Sequence, residues 1–209
     1  MTMQSGVGGA SIEITHVNHV FPGGVRAVTD ANLHVAPGEF VSIVGPSGCG
    51  KTTLLNLMAG LIEVQDGSIK VSGQAPRPGR HDVAYMLARD CLFPWRTALD
   101  NVMLGGEFRG VARSERLTRA QTLLSKVGLG DFHHHYPKAL SHGMRQRVAL
   151  ARTFSLESPI LLMDEPFGAL DAQTKLQLED VLLELWSAEQ RTVVFITHDL
   201  NAVVSQRPS

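Results

Sequence analysis

The sequence holds only two cysteines, Cys49 and Cys91, in 209 residues. Two thiols cannot build a disulfide framework, and their scarcity fits a chain kept in a reducing cytoplasm. An excess of one charge is also missing: Lys and Arg number 19, Asp and Glu 20, for a formal net charge of −1. Without a basic stripe to neutralise phosphates along a duplex, the composition argues against a dedicated nucleic-acid binder. No segment reaches the roughly 20 apolar residues that span a bilayer, and the opening lacks the basic-then-apolar layout of a secretory signal. If the chain serves transport, another chain must form the path. Internal repeats and low-complexity tracts are absent. His133, His134 and His135 are adjacent, so they converge poorly on one ion, and no Cys or carboxylate cluster follows at ligand spacing. That run reads as a solvated loop or helix end.

What is present is ordinary for a globular protein, with 44% hydrophobic and 19% charged residues. The length allows one domain with a real core and a subdomain. Residues 1–10 are small and polar and read as a disordered leader. The most informative feature is residues 45–52, Gly-Pro-Ser-Gly-Cys-Gly-Lys-Thr, a complete G-x-x-x-x-G-K-S/T loop. Before it, Phe40-Val41-Ser42-Ile43-Val44 is an apolar run suited to a buried strand; after it, Thr53-Leu54-Leu55-Asn56-Leu57-Met58-Ala59 has helical spacing. Strand, glycine-rich loop and helix is the order a phosphate-binding loop requires. The glycines let several backbone N–H groups curl toward one concavity, and the helix N-terminus adds partial positive charge. Lys51 is placed to reach the β- and γ-phosphates, and the Thr52 hydroxyl to bind Mg²⁺. The chain is expected to bind a nucleoside triphosphate.

Periodicity supplies the rest of the map. Ile12, Ile14, Val17 and Val20 alternate loosely with polar residues, as in a strand, and residues 25–35 predict another. Short strands are also expected at 67–71 and 82–86. A mainly helical stretch covers about 97–157, with Leu117, Ala120, Leu124 and Val127 as the face of one helix. Ile160-Leu161-Leu162-Met163-Asp164-Glu165 is a continuous apolar run ending in two acids, the pattern of a strand buried on both sides. Leu178, Val181, Leu182, Leu185 and Trp186 form a helical stripe. Thr192-Val193-Val194-Phe195-Ile196-Thr197 repeats the buried-strand pattern and leads into His198. Alternating strands and helices predict a mostly parallel α/β core. In such sheets chemistry gathers at the carboxyl ends of the strands, where Lys51, Asp164, Glu165 and His198 all fall.

Further segments resemble one family in order. Leu140-Ser141-His142-Gly143-Met144-Arg145-Gln146-Arg147 is similar to the signature motif of ATP-binding cassette (ABC) ATPases and stands about twenty residues before Asp164-Glu165. Ala169-Leu170-Asp171 resembles the D-loop of that family, and Thr197-His198-Asp199 its switch-histidine loop. Phe21 occupies the place of an aromatic that stacks on adenine. Phe93-Pro94-Trp95-Arg96-Thr97 with Asp100-Asn101-Val102 resembles the nitrate/sulfonate/taurine import type. The likeness runs from about Ile12 to Leu200.

The resemblance implies a P-loop NTPase (ABC ATPase) core with a mostly parallel sheet, an N-terminal antiparallel β-subdomain and a helical signature subdomain at about residues 90–157. It implies ATP as substrate, with Gly45, Pro46, Ser47, Gly48, Cys49, Gly50, Lys51, Thr52 and Thr53 around the phosphates. Ser141 and Gly143 would close the site from a second copy, so that a homodimer holds composite ATP sites. Asp164 and Thr52 would hold Mg²⁺, Glu165 would polarise the attacking water, and His198 would contact the γ-phosphate. The remaining implied partners are integral-membrane permease subunits, which place the chain peripherally on the cytoplasmic face of the inner membrane. An extracytoplasmic substrate-binding protein is implied indirectly, and nucleic acid is not. Trp95 reads either as packing inside the chain or as lining a groove for a permease helix. Paired acids followed by Pro166 also fit a simple turn, and Ser141 alone fits a helix N-cap.

Three departures qualify the likeness. Ala88 stands where the family usually has Gln, so slow turnover is expected, with Asp90 as a nearby candidate substitute. His142 replaces the first glycine of the usual signature pair, where it would either crowd the nucleotide or donate to a phosphate. The family continues beyond Leu200 through a further helix and strands, whereas this sequence ends at Ser209. A shortened cassette with an exposed edge is therefore expected. The rival functions are a binding-only or inactive cassette and a non-transport ABC ATPase. A GTPase is disfavoured by the lack of an Asn-Lys-x-Asp motif.

Overall fold

The computed structural model describes residues 8–168 and 170–198. The chain divides into two compact units. One holds the described residues up to Tyr85, Ser158–Glu165 and those from Glu189; the other holds Met86–Glu157 and Pro166–Ala188, apart from Ala169. The second unit is thus larger than the stretch at 90–157 and takes in a further helix beyond the 160–165 strand. Of the expected leader, residues 1–7 lie outside the described residues. Gly8–Ala10 are placed, with the Ala10 carbonyl accepting from the Thr192 hydroxyl at 2.7 Å. The expectation of an exposed edge after residue 198 also falls outside the described residues.

In the first unit, β1 (Ile12–Val20) pairs antiparallel with β2 (Arg26–Val35) on one side and β4 (Asp66–Val71) on the other. The second sheet has the order β3-β7-β6-β5, built from β3 (Phe40–Val44), β5 (Val83–Met86), β6 (Ile160–Asp164) and β7 (Thr192–Thr197). Both pairings of β7, to β3 and to β6, are parallel. Every residue of β6 and β7 is buried, which is why each reads as an unbroken apolar run. Helix α1 (Lys51–Met58) follows β3, and its Leu55, Leu57 and Met58 join one core with Ile12, Ile14, Ile69, Leu162, Val194 and Ile196.

The second unit is helical. Helices α2 (Ala98–Phe108), α3 (Arg113–Lys126) and α4 (His142–Ser155) pack pairwise, and α5 (Ala172–Glu189) belongs to the same unit. Thr97 caps α2 by accepting from the Asp100 N–H. The core face of α3 carries Ala120, Leu123 and Leu124 and continues to Val127; Leu117 is only partly buried. The three histidines form the expected loop against a helix end: the carbonyls of His133 and His135 accept from the N–H groups of Leu99 and Ala98. Among the described residues no helix is long and apolar enough to cross a membrane, and no three side chains are grouped to hold a metal on their own.

Candidate functional site

The phosphate loop leaves β3 at Val44, whose neighbour across the sheet is Thr197. Gly50 precedes the first turn of α1 at φ 95, and a Cβ there would overlap the carbonyl oxygen of Ala27 on β2. Glycine is the one residue that satisfies both the backbone and this close approach. No side chain caps α1 and its first turn carries no acid, so its leading N–H groups face the loop without a side-chain acceptor. This is the electrostatic arrangement that attracts a phosphate. Lys51, 7% exposed, donates to the carbonyls of Gly45 at 2.7 Å and Pro46 at 2.8 Å. The ammonium is thereby held over the loop. Pro46, Ser47, Gly48 and Cys49 form its exposed rim, with the Cys49 thiol 3.8 Å from the Lys51 Nζ.

Beside the loop, Thr52 Oγ1 donates to Asp164 Oδ1 at 3.1 Å, joining the first turn of α1 to the end of β6. Asp164 is 7% exposed, and burial raises its carboxyl above the ordinary carboxylate range. The Thr52 hydrogen bond and the Lys51 charge oppose that rise, whereas Glu165 adds to it. A desolvated carboxylate next to a hydroxyl is a hard-oxygen donor set, and these two residues fit Mg²⁺. Tyr85 on β5 feels the same carboxylate: burial and Asp164 push its phenol above its usual value, and its O–H donates to Asn56 Oδ1 at 3.0 Å.

Glu165 follows at φ 43, in the left-handed region that a branched or long side chain rarely adopts. Its N–H donates to the Ile196 carbonyl at 3.1 Å, which fixes the turn against β7. The register that sets Asp164 opposite Ile196 brings Glu165 to His198, with Oε2 and Nδ1 3.2 Å apart. Acid and imidazole therefore meet beyond the carboxyl ends of adjacent strands.

Phe21 lies at the β1–β2 turn, 37% exposed, where its N–H donates to the Val25 carbonyl. His19 packs edge-on against it, ring centroids 4.8 Å apart. His19 pairs with Val28, and a methyl of Val28 lies against Gly50. The aromatic turn and the phosphate loop thus belong to one corner of the first unit.

In the second unit Ser141 caps α4, its hydroxyl accepting from the Met144 N–H at 3.2 Å. A cleft of about 340 Å³ opens there, lined by Ser141, His142, Gly143, Leu170, Asp171 and Thr174 among others. Gly143 lets α4 approach Thr174, to whose methyl a Cβ would come within 3.1 Å. Asp171 accepts from the Thr174 N–H at 3.0 Å, and this hydrogen bonding holds its carboxyl below the ordinary range. Ala169 and Asp199, the other members of their motifs singled out in the sequence, lie outside the described residues.

The segment from Ala88 to Cys91 is tied to α4 by three side chains. Gln146 Nε2 donates to the Ala88 carbonyl at 3.2 Å, Arg145 Nε to Asp90 Oδ2 at 2.9 Å, and Arg152 to the Asp90 and Cys91 carbonyls at 2.7 Å each. The Asp90 carboxylate is thus engaged with Arg145. Asn101, named from the sequence only within the Asp100-Asn101-Val102 resemblance and given no role there, is fully buried. It accepts from the Phe93 N–H at 2.8 Å and donates to the carbonyls of Phe93, Arg96 and Thr97. Held by that clasp, Trp95 is 70% exposed, which overturns the reading that it packs inside the chain. Asn101 was detectable only as an amide inside an apolar helix, a residue type that needs partners when buried.

Comparison with known proteins adds three kinds of relative. The family model described as ABC transporter matches residues 28–168. The nitrate import ATP-binding protein NrtD of Synechocystis is 43% identical over 196 residues, covering 92% of this chain and 74% of that protein. The taurine import ATP-binding protein TauB of Escherichia coli is 42% identical over 193 residues, covering 92% and 75%. Among solved structures, the dimeric post-hydrolysis state of the ATP-binding cassette MJ0796 bound to ADP and Pi superposes with a TM-score of 0.82. It is 33% identical, and the match covers 91% of this chain and 89% of that one.

Proposed function

This chain belongs to the ABC transporter ATP-binding family, and from that premise we propose that it powers an importer of small anionic or organic solutes of the nitrate, sulfonate or taurine kind. As a cassette of this family it is an ATPase. The observation that carries the mechanism is the pair of contacts at the carboxyl ends of β6 and β7, Thr52 to Asp164 and Glu165 to His198.

Phosphoryl transfer to water needs an aligned nucleophile and neutralised terminal oxygens. The leading N–H groups of α1 and the Lys51 ammonium bind the phosphate tail and offset its charge. Thr52 and Asp164 would hold Mg²⁺, which when bound neutralises charge on the β- and γ-phosphate oxygens. Glu165 orients and polarises the attacking water, and His198 holds Glu165 on one side and reaches the γ-phosphate on the other. The Glu165 backbone holds a left-handed φ of 43°, and its carboxylate sits at the end of the strand beside His198. Phe21 stacks on the base.

Ser141, His142 and Gly143 act on ATP held by a second copy, so the working unit is a homodimer. Permease subunits in the membrane dock at the exposed Trp95 loop, which places the chain peripherally at the cytoplasmic face, and a substrate-binding protein outside acts through them. Ala88 favours a slower enzyme, because a methyl group cannot orient water as an amide does. Purified protein with Mg-ATP should release phosphate, and co-expressed permease should accelerate release and support solute uptake. ATP-protected folding with no phosphate release under either condition would instead identify a binding-only cassette.

A further inference from the structure

We propose that Gln65 is a positioning residue for the base of the nucleotide: its side-chain amide takes the place of a strand residue and fixes the backbone that carries Phe21. The inference rests on the reading that Phe21 stacks on the base. It goes beyond that reading by assigning the hold on the aromatic platform to a residue 45 positions from Val20.

The β1–β4 ladder runs from Ile12 opposite Val71 to Thr15 opposite Ser68, shifts register, and resumes with Asn18 opposite Asp66. Because β4 begins at Asp66, its backbone ladder stops short of Val20, the last residue of β1. Gln65 extends the ladder with its side chain. Its Oε1 accepts from the Val20 N–H at 2.9 Å, and its Nε2 donates to the Val20 carbonyl at 3.1 Å. A primary amide carries the donor and the acceptor of a peptide unit, so this double bond to one residue reproduces the exchange made by a paired antiparallel strand. The step before it is pinned on both sides. Asn18 Nδ2 donates to Asp66 Oδ2 at 2.9 Å, and Asn18 Oδ1 accepts from the Asp30 N–H at 2.8 Å.

The tip beyond Val20 has little structure of its own. The Phe21 N–H donates to the Val25 carbonyl at 2.9 Å, and the Phe21 carbonyl accepts from the Gly24 N–H at 3.1 Å. Gly23 and Gly24 sit at φ 95 and 82, and Val25 is 63% exposed. Two adjacent glycines leave such a turn free to swivel, so the direction of the Phe21 ring is set by the residues that lead into it. His19, 3% exposed, meets the ring edge-on, and Gln65 fixes the intervening Val20. A base then meets a surface already ordered, and less freedom is lost on binding. Gln65 makes these hydrogen bonds to Val20 and none to the phosphate loop, so its influence is confined to the base.

The test is calorimetric titration of the full chain with Mg-ADP and with Mg-pyrophosphate, which lacks the base. The parent should bind ADP more tightly, and Phe21→Ala should narrow that gap by about tenfold or more, the range of base–aromatic stacking. Gln65→Ala and Gln65→Met, the second keeping the length without polar atoms, should narrow it by about threefold to tenfold and leave pyrophosphate affinity unchanged. Hydrogen exchange at the Val20 amide should quicken in both. Gln65 is exposed, so both variants should melt close to the parent. A gap kept in both Gln65 variants but narrowed in Phe21→Ala would overturn the proposal and leave the stacking reading standing. Equal losses for ADP and pyrophosphate would also overturn it, making Gln65 a general structural contact. A gap kept in Phe21→Ala would remove the stacking reading, and this inference with it.

Discussion

Thr52 Oγ1 and Asp164 Oδ1 lie 3.1 Å apart, although 112 positions separate them in the chain. The bond ties the helix that follows the phosphate loop to the strand that supplies the acid, and it holds a carboxylate where burial disfavours its charge. A group whose folded value is raised contributes stability that is full below its unfolded value and is lost as pH rises through the folded one. Asp164→Asn should therefore raise the melting temperature of the nucleotide-free protein, with a gap that is smallest in acid and opens toward neutral pH. Mg-ATP at about a hundred times its dissociation constant should stabilise the parent by roughly 2.7 kcal/mol. The variant should lose most of that gain. A thermal-shift series across pH, with and without Mg-ATP, checks both halves.

Glu165 joins its proposed role on the attacking water to backbone strain. Glu165→Gln should reduce phosphate release by about 10²–10⁴-fold while nucleotide affinity holds, because the carboxylate acts on water. Glu165→Gly should be equally inactive yet more stable by about 1 kcal/mol, since glycine relaxes the φ of 43°. Chemical denaturation beside a phosphate-release assay reads the two effects apart. Equal or lower stability in the glycine variant would count against stored strain.

Gly50→Ala should fail for steric reasons alone. The added methyl meets the Ala27 carbonyl, and the φ of 95° suits no L side chain. A loss of at least about 2 kcal/mol is expected, with nucleotide binding weakened because β2 and the loop are pushed apart. Denaturant midpoints and calorimetric titration with Mg-ATP provide the readings.

Trp95 in the loop after β5 and Asn101 in the first turn of α2 should behave oppositely. Trp95→Ala removes an exposed ring and should shift stability by no more than about 0.5 kcal/mol, keep ATPase activity and lose permease in co-purification. Asn101→Leu strands the Phe93 N–H and the Arg96 carbonyl and takes a second donor from the carbonyls of Phe93 and Thr97, so it should cost about 1–3 kcal/mol and alter Trp95 fluorescence through loss of the clasp.

Ala88→Gln should raise the turnover number, by up to the ~2–4 kcal/mol that one preorganised polar group contributes to a transition state. A rate unchanged in single-turnover assays would show that this enzyme aligns its water without that amide.

Much of this was legible in the sequence because burial writes itself into composition. The runs at 160–164 and 192–197 are apolar throughout because both faces of β6 and β7 are covered. The phosphate loop was legible because glycines and one lysine have few other reasons to fall at that spacing. Residues whose roles depend on distant partners were not. Trp95 is as apolar outside as it would be inside, and only the Asn101 clasp decides which. Asp90 was a candidate for the missing amide until Arg145, far along the chain, was seen to engage it. The α3 face was drawn through Leu117, whereas Leu123 is the better buried, a small rotation that packing against α2 and α4 settles. That residues 166–188 join the helical unit is a property of long-range packing, which no local period encodes.

The order β3-β7-β6-β5 has a consequence during synthesis. The strand emerging last from the ribosome, among those described, is wedged in the middle of its sheet, between the strand that opens the phosphate loop and the strand that ends in Asp164. Until residues 192–197 have slotted in, those two strands have no shared neighbour and the catalytic pocket has no floor. Before that strand is in place, a nascent chain lacks the element that sets His198 beside Glu165.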